Sequence, residues 1–255
     1  MNRIESTTHI PRFKPLLELP KRKMSFPYGI ALAIFLFLST AISPVHAATV
    51  SDPLEKMNRV TYQFNRTLDR IVLKPLALTY DRLAPTPVRT GVKNFFSNLD
   101  DVRVTFNDLM QLNLSQAGSD FSRLAVNSTV GLGGLINVAG PVFELEKNRQ
   151  DFGKTLSFWG VGSGPYIVLP IFGPSTLRDS FGVGVDSLID PIPTLAHVES
   201  RNSLAAAKTT DFRARVLKFD DLIMGDEYLF VRGIYLQQRE YSINGEYVEV
   251  AFDEF

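Results

Sequence analysis

From Thr155 to Leu177 the chain carries no charged side chain. A run of that length is enough to cross a bilayer, which takes about 20 apolar residues as a helix. Yet Pro165, Pro170 and Pro174 each remove a backbone donor and clash with the preceding turn, and Gly160, Gly162, Gly164 and Gly173 raise the entropic cost of regular structure. A spanning helix is therefore excluded. Irregular backbone exposed to lipid leaves polar groups unpaired, so such a segment has to be covered by protein or line a wet cavity. The expectation is an apolar loop broken by Gly and Pro in place of a regular span.

The first 47 residues read as a leader. Lys21, Arg22 and Lys23 precede an apolar run from Ile30 to Leu38, and Val45-His46-Ala47 has the small residues that flank a cleavage site before Ala48. The stretch ahead of the basic cluster is long, which is consistent with a later translation start or an extended leader. An uncleaved anchor helix is the alternative, although the apolar run is short for a span. The leader holds six Lys or Arg and two Asp or Glu, leaving 21 basic and 25 acidic residues in 48–255. A net-acidic chain argues against nucleic acid as a partner. Without any cysteine there is no disulfide framework, no thiolate nucleophile and no acylated N-terminal Cys, so the protein is expected not to be a lipoprotein.

Residues 48–255 read as one mainly helical domain with no repeat and no long linker. Asp52-Pro53-Leu54-Glu55 opens a helix with Asp52 as N-cap. Leu54, Met57, Thr61, Phe64, Leu68 and Ile71 recur at steps of three and four opposite Glu55, Arg59, Gln63, Arg66 and Arg70, until Pro75 is expected to stop the helix. A second helical region starts at Thr86-Pro87 and has room for a break near Asp100. A third runs from Ser115 to Gly140-Pro141. Ser175 or Thr176 caps a helix toward Leu188, and two more are expected over about 200–224 and 226–243.

The third helix holds a second uncharged window, Leu124 to Phe143. At about 100° per residue, Asn127, Gly131, Gly134 and Asn137 share a small, polar face, with Ala125, Leu132 and Ile136 opposite. Such a face suits either a close helix contact or a wall along which a polar headgroup moves.

Catalytic and metal chemistry find little support. The positions flanking Ser163 that a nucleophile elbow reserves for glycine hold Val161 and Pro165. His197 is the one histidine past the leader. Asp151-Phe152-Gly153 lacks every companion of a kinase metal motif, and Pro165 interrupts any phosphate loop at Gly160-x-Gly162-x-Gly164. Asp100-Asp101 and Asp220-Asp221 diverge on helices and lack calcium-loop spacing. No enzyme activity, metal or cofactor is expected. Counting back from Phe255 puts Asp253, Ala251 and Glu249 where a barrel would face lipid, which argues against a barrel.

Four stretches carry a resemblance: "DPLEKMNRVTYQFN" from Asp52, "RLAVNSTVGLGGLINVAG" from Arg123, "FGKTLSFWGVGSGPYIVLPIFGPSTLRD" from Phe152 and "DEYLFVRGIYLQQREYSING" from Asp226. Together they resemble the MlaA (VacJ) family of Gram-negative outer-membrane proteins over nearly all of 48–255. The resemblance implies an all-α ring of amphipathic helices in one leaflet, on the periplasmic side of the outer membrane. Its amphipathic channel would take mislocalised phospholipid from the outer leaflet to a periplasmic lipid-carrier protein, often beside a trimeric porin. Members are commonly acylated on a cysteine, which this sequence does not offer. On this reading Asn127, Gly131, Gly134 and Asn137 line the lipid path, Gly160 to Pro174 is an apolar hairpin loop packed against or across the ring with Gly160, Gly162 and Gly164 as its hinges, and Arg178 with Asp179 tethers its far end. A soluble periplasmic binding or structural protein is the alternative.

Overall fold

A computed structural model describes residues 52–223 and 225–245. The leader, its cleavage site and the C-terminal segment read against a barrel lie outside the described residues.

Helix α1 spans Glu55–Leu68, with Leu54 at its N-cap position. Asp52, expected as the cap, instead closes the turn before the helix: its Oδ1 accepts the Leu54 N–H at 3.1 Å and its carbonyl accepts the Glu55 N–H at 3.2 Å. Pro75 does not stop the helical path. A five-residue π segment, Asp69–Leu73, widens the helix so that the Lys74 N–H reaches the Asp69 carbonyl, and α2 (Lys74–Leu83) starts with Pro75 in its first turn. There the missing N–H needs no helical partner.

Helix α3 (Thr86–Met110) is unbroken at Asp100, whose carboxylate pairs with Arg103 one turn ahead at 2.7 Å. Helix α4 (Leu114–Thr129) is shorter than expected. Leu132, Gly133 and Gly134 adopt positive φ after it, folding the chain into a corner before a short α5 (Ala139–Phe143). Helix α6 (Phe152–Phe158), a β-hairpin and α7 (Leu177–Ile189) follow. The hairpin pairs β1 (Tyr166–Leu169) with β2 (Gly173–Thr176) antiparallel, in a register that sets Tyr166 opposite Thr176. The all-α expectation is amended by these two strands, and the hairpin read from the broken apolar run is a β-hairpin. Thr176 caps α7 by accepting the Asp179 N–H at 3.2 Å. Helix α8 (Val198–Val216), a 3₁₀ segment (Leu217–Leu222) and α9 (Glu227–Asn244) complete the described chain.

The side chains are distributed inside-out. Asn58, Asp101, Asn107, Asp108, Asp120 and Thr155 are fully buried, whereas Val60, Ile71, Leu83, Leu112, Phe181 and Leu188 are each more than two-thirds exposed. Apolar burial is confined to small clusters such as Tyr166, Val168 and Tyr228. Along α1 and the π segment that continues it, the apolar stripe of Met57, Phe64 and Ile71 points outward. No helix among the described residues is long and apolar enough to cross a membrane.

Candidate functional site

The hairpin is held from one side by α1. Asn58 donates from Nδ2 to the Tyr166 carbonyl at 3.0 Å and accepts the Val168 N–H at 2.9 Å. Two helical turns on, Asn65 repeats the contact, donating to the Leu169 carbonyl at 2.8 Å and accepting the Ile171 N–H at 2.7 Å. Seven residues bring a helix back to nearly the same azimuth, so the two amides form a line that serves the free edge of β1 as a third strand would. At the tip, Ile171 is held at φ 70°, and Ile171 and Phe172 stand exposed. A β-branched residue at positive φ is strained, and the Asn65 hydrogen bond holds it there.

The base of the hairpin is clasped by charge. Arg178 pairs with Asp179 at 3.0 Å, and the backbone N–H of Arg178 donates to the Ser163 carbonyl at 3.1 Å. Arg239 from α9 donates to Asp179 at 2.8 Å and to both oxygens of Asp151 at 2.7 Å, while the Tyr235 hydroxyl reaches Asp179 at 2.9 Å. Asp151 caps α6 and Asp179 lies in the first turn of α7, so a single guanidinium joins the segments that enter and leave the loop. Burial opposes the charge on Asp151 and Asp179, but the Arg239 hydrogen bonds outweigh it and hold both carboxyls below their ordinary value. Gly153 makes room for this clasp: a Cβ there would sit 2.4 Å from Asp179 Oδ1 and 2.5 Å from Arg239 Nη2.

The loop glycines differ. Gly160 and Gly164 have φ of 86° and 67°, a region that disfavours side chains, while Gly162 does not and has open space where a Cβ would go.

Asn127, Gly131, Gly134 and Asn137 are brought together, but not as one helix face, because α4 ends at Thr129. The helical-wheel argument for that face is corrected: the glycines at 131, 133 and 134 turn the chain where a helix was expected to continue. Asn127 is buried and its Oδ1 accepts the N–H groups of Val138 and Ala139 at 2.8 and 2.9 Å. Asn137 is exposed and bonds to it at 3.4 Å. A Cβ on Gly134 would lie 2.7 Å from Asn98. The corner presents Val130, Leu132, Leu135 and Ile136 outward.

Beneath these surfaces runs a polar core that sequence reasoning did not find. Asp186 of α7 accepts from Arg103 at 3.2 Å, Asn107 at 3.0 Å and the Phe152 N–H at 3.0 Å, and Thr155 donates to Asn107 at 2.8 Å. Lys147 and Arg123 pair with buried Asp101. Asp108 and Asp120 lie side by side, bridged by the Asn148 amide at 3.1 and 3.2 Å. Burial, reinforced by the hydrogen bond and charge of Asp120, pushes Asp108 up to about 7. The only available signal was polar residues at helical spacing, and those read equally well as a solvated face.

Comparisons with known proteins now bear on the chain. The family model described as MlaA lipoprotein matches residues 50–242. The intermembrane phospholipid transport system lipoprotein MlaA of Escherichia coli (strain K12) is 35% identical over 225 residues, 85% of this chain and 88% of that protein. Its namesake from Haemophilus influenzae is 34% identical over 206 residues, 78% of this chain and 82% of that protein. A solved structure reported as the "Structural basis for maintenance of bacterial outer membrane lipid asymmetry" superposes with a TM-score of 0.67 at 34% identity, covering 76% of this chain and 100% of that one.

One expectation is corrected here. The absence of cysteine from the sequence stands, but the conclusion that the protein is not a lipoprotein does not, because the Haemophilus relative is a lipoprotein by name. With most of its length matched by the family model and by relatives above 30% identity, the chain belongs to the MlaA lipoprotein family.

Proposed function

We propose that this protein transports phospholipid between membranes and so maintains the lipid asymmetry of the outer membrane, with no covalent step. Its relatives are named for intermembrane phospholipid transport. The observation that carries the reading is the inside-out fold. Large apolar side chains on α1, α4, α7 and the hairpin tip face outward while carboxylates, amides and guanidiniums fill the interior. In water such a surface is costly, at roughly 25 cal/mol per Å² of apolar area; in acyl chains it is solvated. Helices too polar to span can still lie in the plane of one leaflet.

In this reading the helices surround an amphipathic channel in which a headgroup meets polar protein while its chains stay in apolar surroundings, lowering the cost of leaving the leaflet. The corner of Asn127, Gly131, Gly134 and Asn137 borders that path. The hairpin moves over it on Gly160, Gly162 and Gly164, with the Arg178–Asp179 pair as its fixed end. A periplasmic carrier receives the lipid, and a trimeric porin is the neighbour in the membrane.

The test is purification in detergent from the outer membrane, with mass spectrometry of what accompanies the protein. Phospholipid is expected with it, and a porin with the larger assembly. Release by osmotic shock without detergent, free of lipid, would overturn the reading in favour of a soluble periplasmic protein.

A further inference from the structure

Between α2, the start of α3 and α8 lies an open cavity of about 340 Å³, whose lining includes no residue of the hairpin or of the Asn127 corner. That is at the small end of ligand pockets, which run from about 300 to 1,000 Å³. Three cations line it, Arg89 and Lys93 from α3 and Arg215 from α8, against two carboxylates, Asp81 and Asp211.

The charges are not balanced. Asp81 is paired with Arg89, and Asp211 with Arg215 at 3.1 Å and with the Tyr80 hydroxyl at 3.2 Å. Both carboxylates thus already have their cation. Lys93 is exposed and takes part in no hydrogen bond or ion pair among the described residues. Two buried atoms of the wall, Arg89 Nε and Asp211 Oδ2, have no hydrogen-bond partner and offset one another in sign. Thr86 and Thr90 add hydroxyls to the wall. Guanidinium groups match tetrahedral oxyanions by fork geometry, and an ammonium adds a point charge.

The surroundings are apolar. Phe212 is exposed beside Asp211, with the Arg215 guanidinium 5.6 Å from its ring centroid, and Leu83 and Val88 are exposed on the segments that carry Asp81 and Arg89. A cavity edged by charged side chains, with apolar neighbours, suits a molecule with an anionic head and hydrocarbon chains.

We propose that this cavity receives the phosphate of a phospholipid headgroup and, through the spare charge of Lys93, prefers a net-anionic lipid such as phosphatidylglycerol to zwitterionic phosphatidylcholine. The inference rests on the transport reading above and adds to it a binding site and a headgroup preference. Each lining carboxylate already lies against an arginine, whereas the Lys93 ammonium has no such partner among the described residues and is left for an anion.

The experiment offers the full chain, in mixed micelles, equal amounts of dioleoyl phosphatidylglycerol and dioleoyl phosphatidylcholine, and counts retained lipid by mass spectrometry. The wild type is expected to retain about fivefold more phosphatidylglycerol, the size of one partly exposed charge contact. Lys93→Gln should abolish the preference and Lys93→Glu should reverse it, while Lys56→Glu, a charge change on α1, should leave it intact. Lys93 is exposed and unpaired, so these variants should melt with the wild type. Preference surviving in Lys93→Glu overturns the site while leaving transport standing. Failure of the wild type to retain any phospholipid overturns the transport reading itself. Inorganic phosphate displacing all retained lipid would show a free-phosphate site and overturn the lipid assignment.

Discussion

Arg239 and Asp151 meet through two parallel hydrogen bonds of 2.7 Å, and the same guanidinium reaches Asp179 at 2.8 Å. One side chain thereby sets the distance between α6 and α7, and with it the base of the hairpin. Removing one partner of a buried ion pair typically costs about 3–5 kcal/mol. Arg239→Ala is expected to cost toward the lower end of that range in thermal or denaturant unfolding, because it leaves Asp151 without its hydrogen-bonded cation while Asp179 keeps Arg178 and Tyr235. Arg239→Lys should recover only part of the loss, since an ammonium cannot bond in parallel to one carboxylate and also reach the second. Full stability in the alanine variant would show that the clasp is idle.

Burial and Asp120 raise Asp108 to about 7 from an ordinary value of 3.8. The folded state then holds this proton more tightly than the unfolded chain. Its contribution to stability is complete below about pH 4 and is lost as pH rises through about 7. The melting temperature is expected to fall between pH 5 and pH 8. Asp108→Asn, which keeps an acceptor for Asn148, should flatten most of that slope and be the more stable protein at pH 8. A wild-type melting temperature that rises over this interval would contradict the raised Asp108.

The loop glycines separate strain from motion. Gly160→Val places a stiff side chain at φ 86° and should cost roughly 1–3 kcal/mol, with reduced protein level. Gly162→Val meets no neighbour and should fold normally. If the loop swings, the Gly162 variant is abundant and correctly located, yet outer-leaflet phospholipid accumulates and cells become sensitive to detergent. Wild-type lipid asymmetry in that variant would make the loop a static lid.

Cysteine probes can map the corner after α4 without interference from native thiols among the described residues. At Asn137, exposed and polar, a probe should react quickly with a water-soluble thiol reagent if the lipid path is wet. At Leu132 and Ile136, exposed and apolar, it should be slow in membranes and fast in the denatured protein. Asn127 is buried, so a probe there should be slow in both membranes and detergent. Equal rates at Asn137 and Leu132 in membranes would remove this corner from the path.

The outward apolar surface can be tested on α1 and the π segment after it, where Val60 and Ile71 are both more than two-thirds exposed. Replacing them together with Glu should leave unfolding in detergent within about 1 kcal/mol of wild type, as for surface substitutions generally. It should sharply reduce recovery in the membrane fraction. Unchanged recovery would mean that α1 does not touch lipid.

Local chemistry was enough to read α1, α3, α7, α8 and α9, the Thr176 cap and the refusal of residues 155–177 to span, because propensity, capping and proline act within a few residues. The four similar stretches were equally visible, and they carry the family. What the sequence could not determine was which side of each amphipathic helix faces inward. Periodicity reports two faces but not the solvent each one meets, and in this protein Asn58, Asp101 and Asp108 lie inside while Phe64 and Ile71 lie outside. Nor could it place Arg239 against Asp151, 88 residues earlier, or end α4 at Thr129 when the pattern continued past it. Those outcomes depend on long-range packing. The π segment before Pro75, the three positive-φ residues after α4 and the two asparagines along β1 are each favourable only with the partner that tertiary structure brings to them.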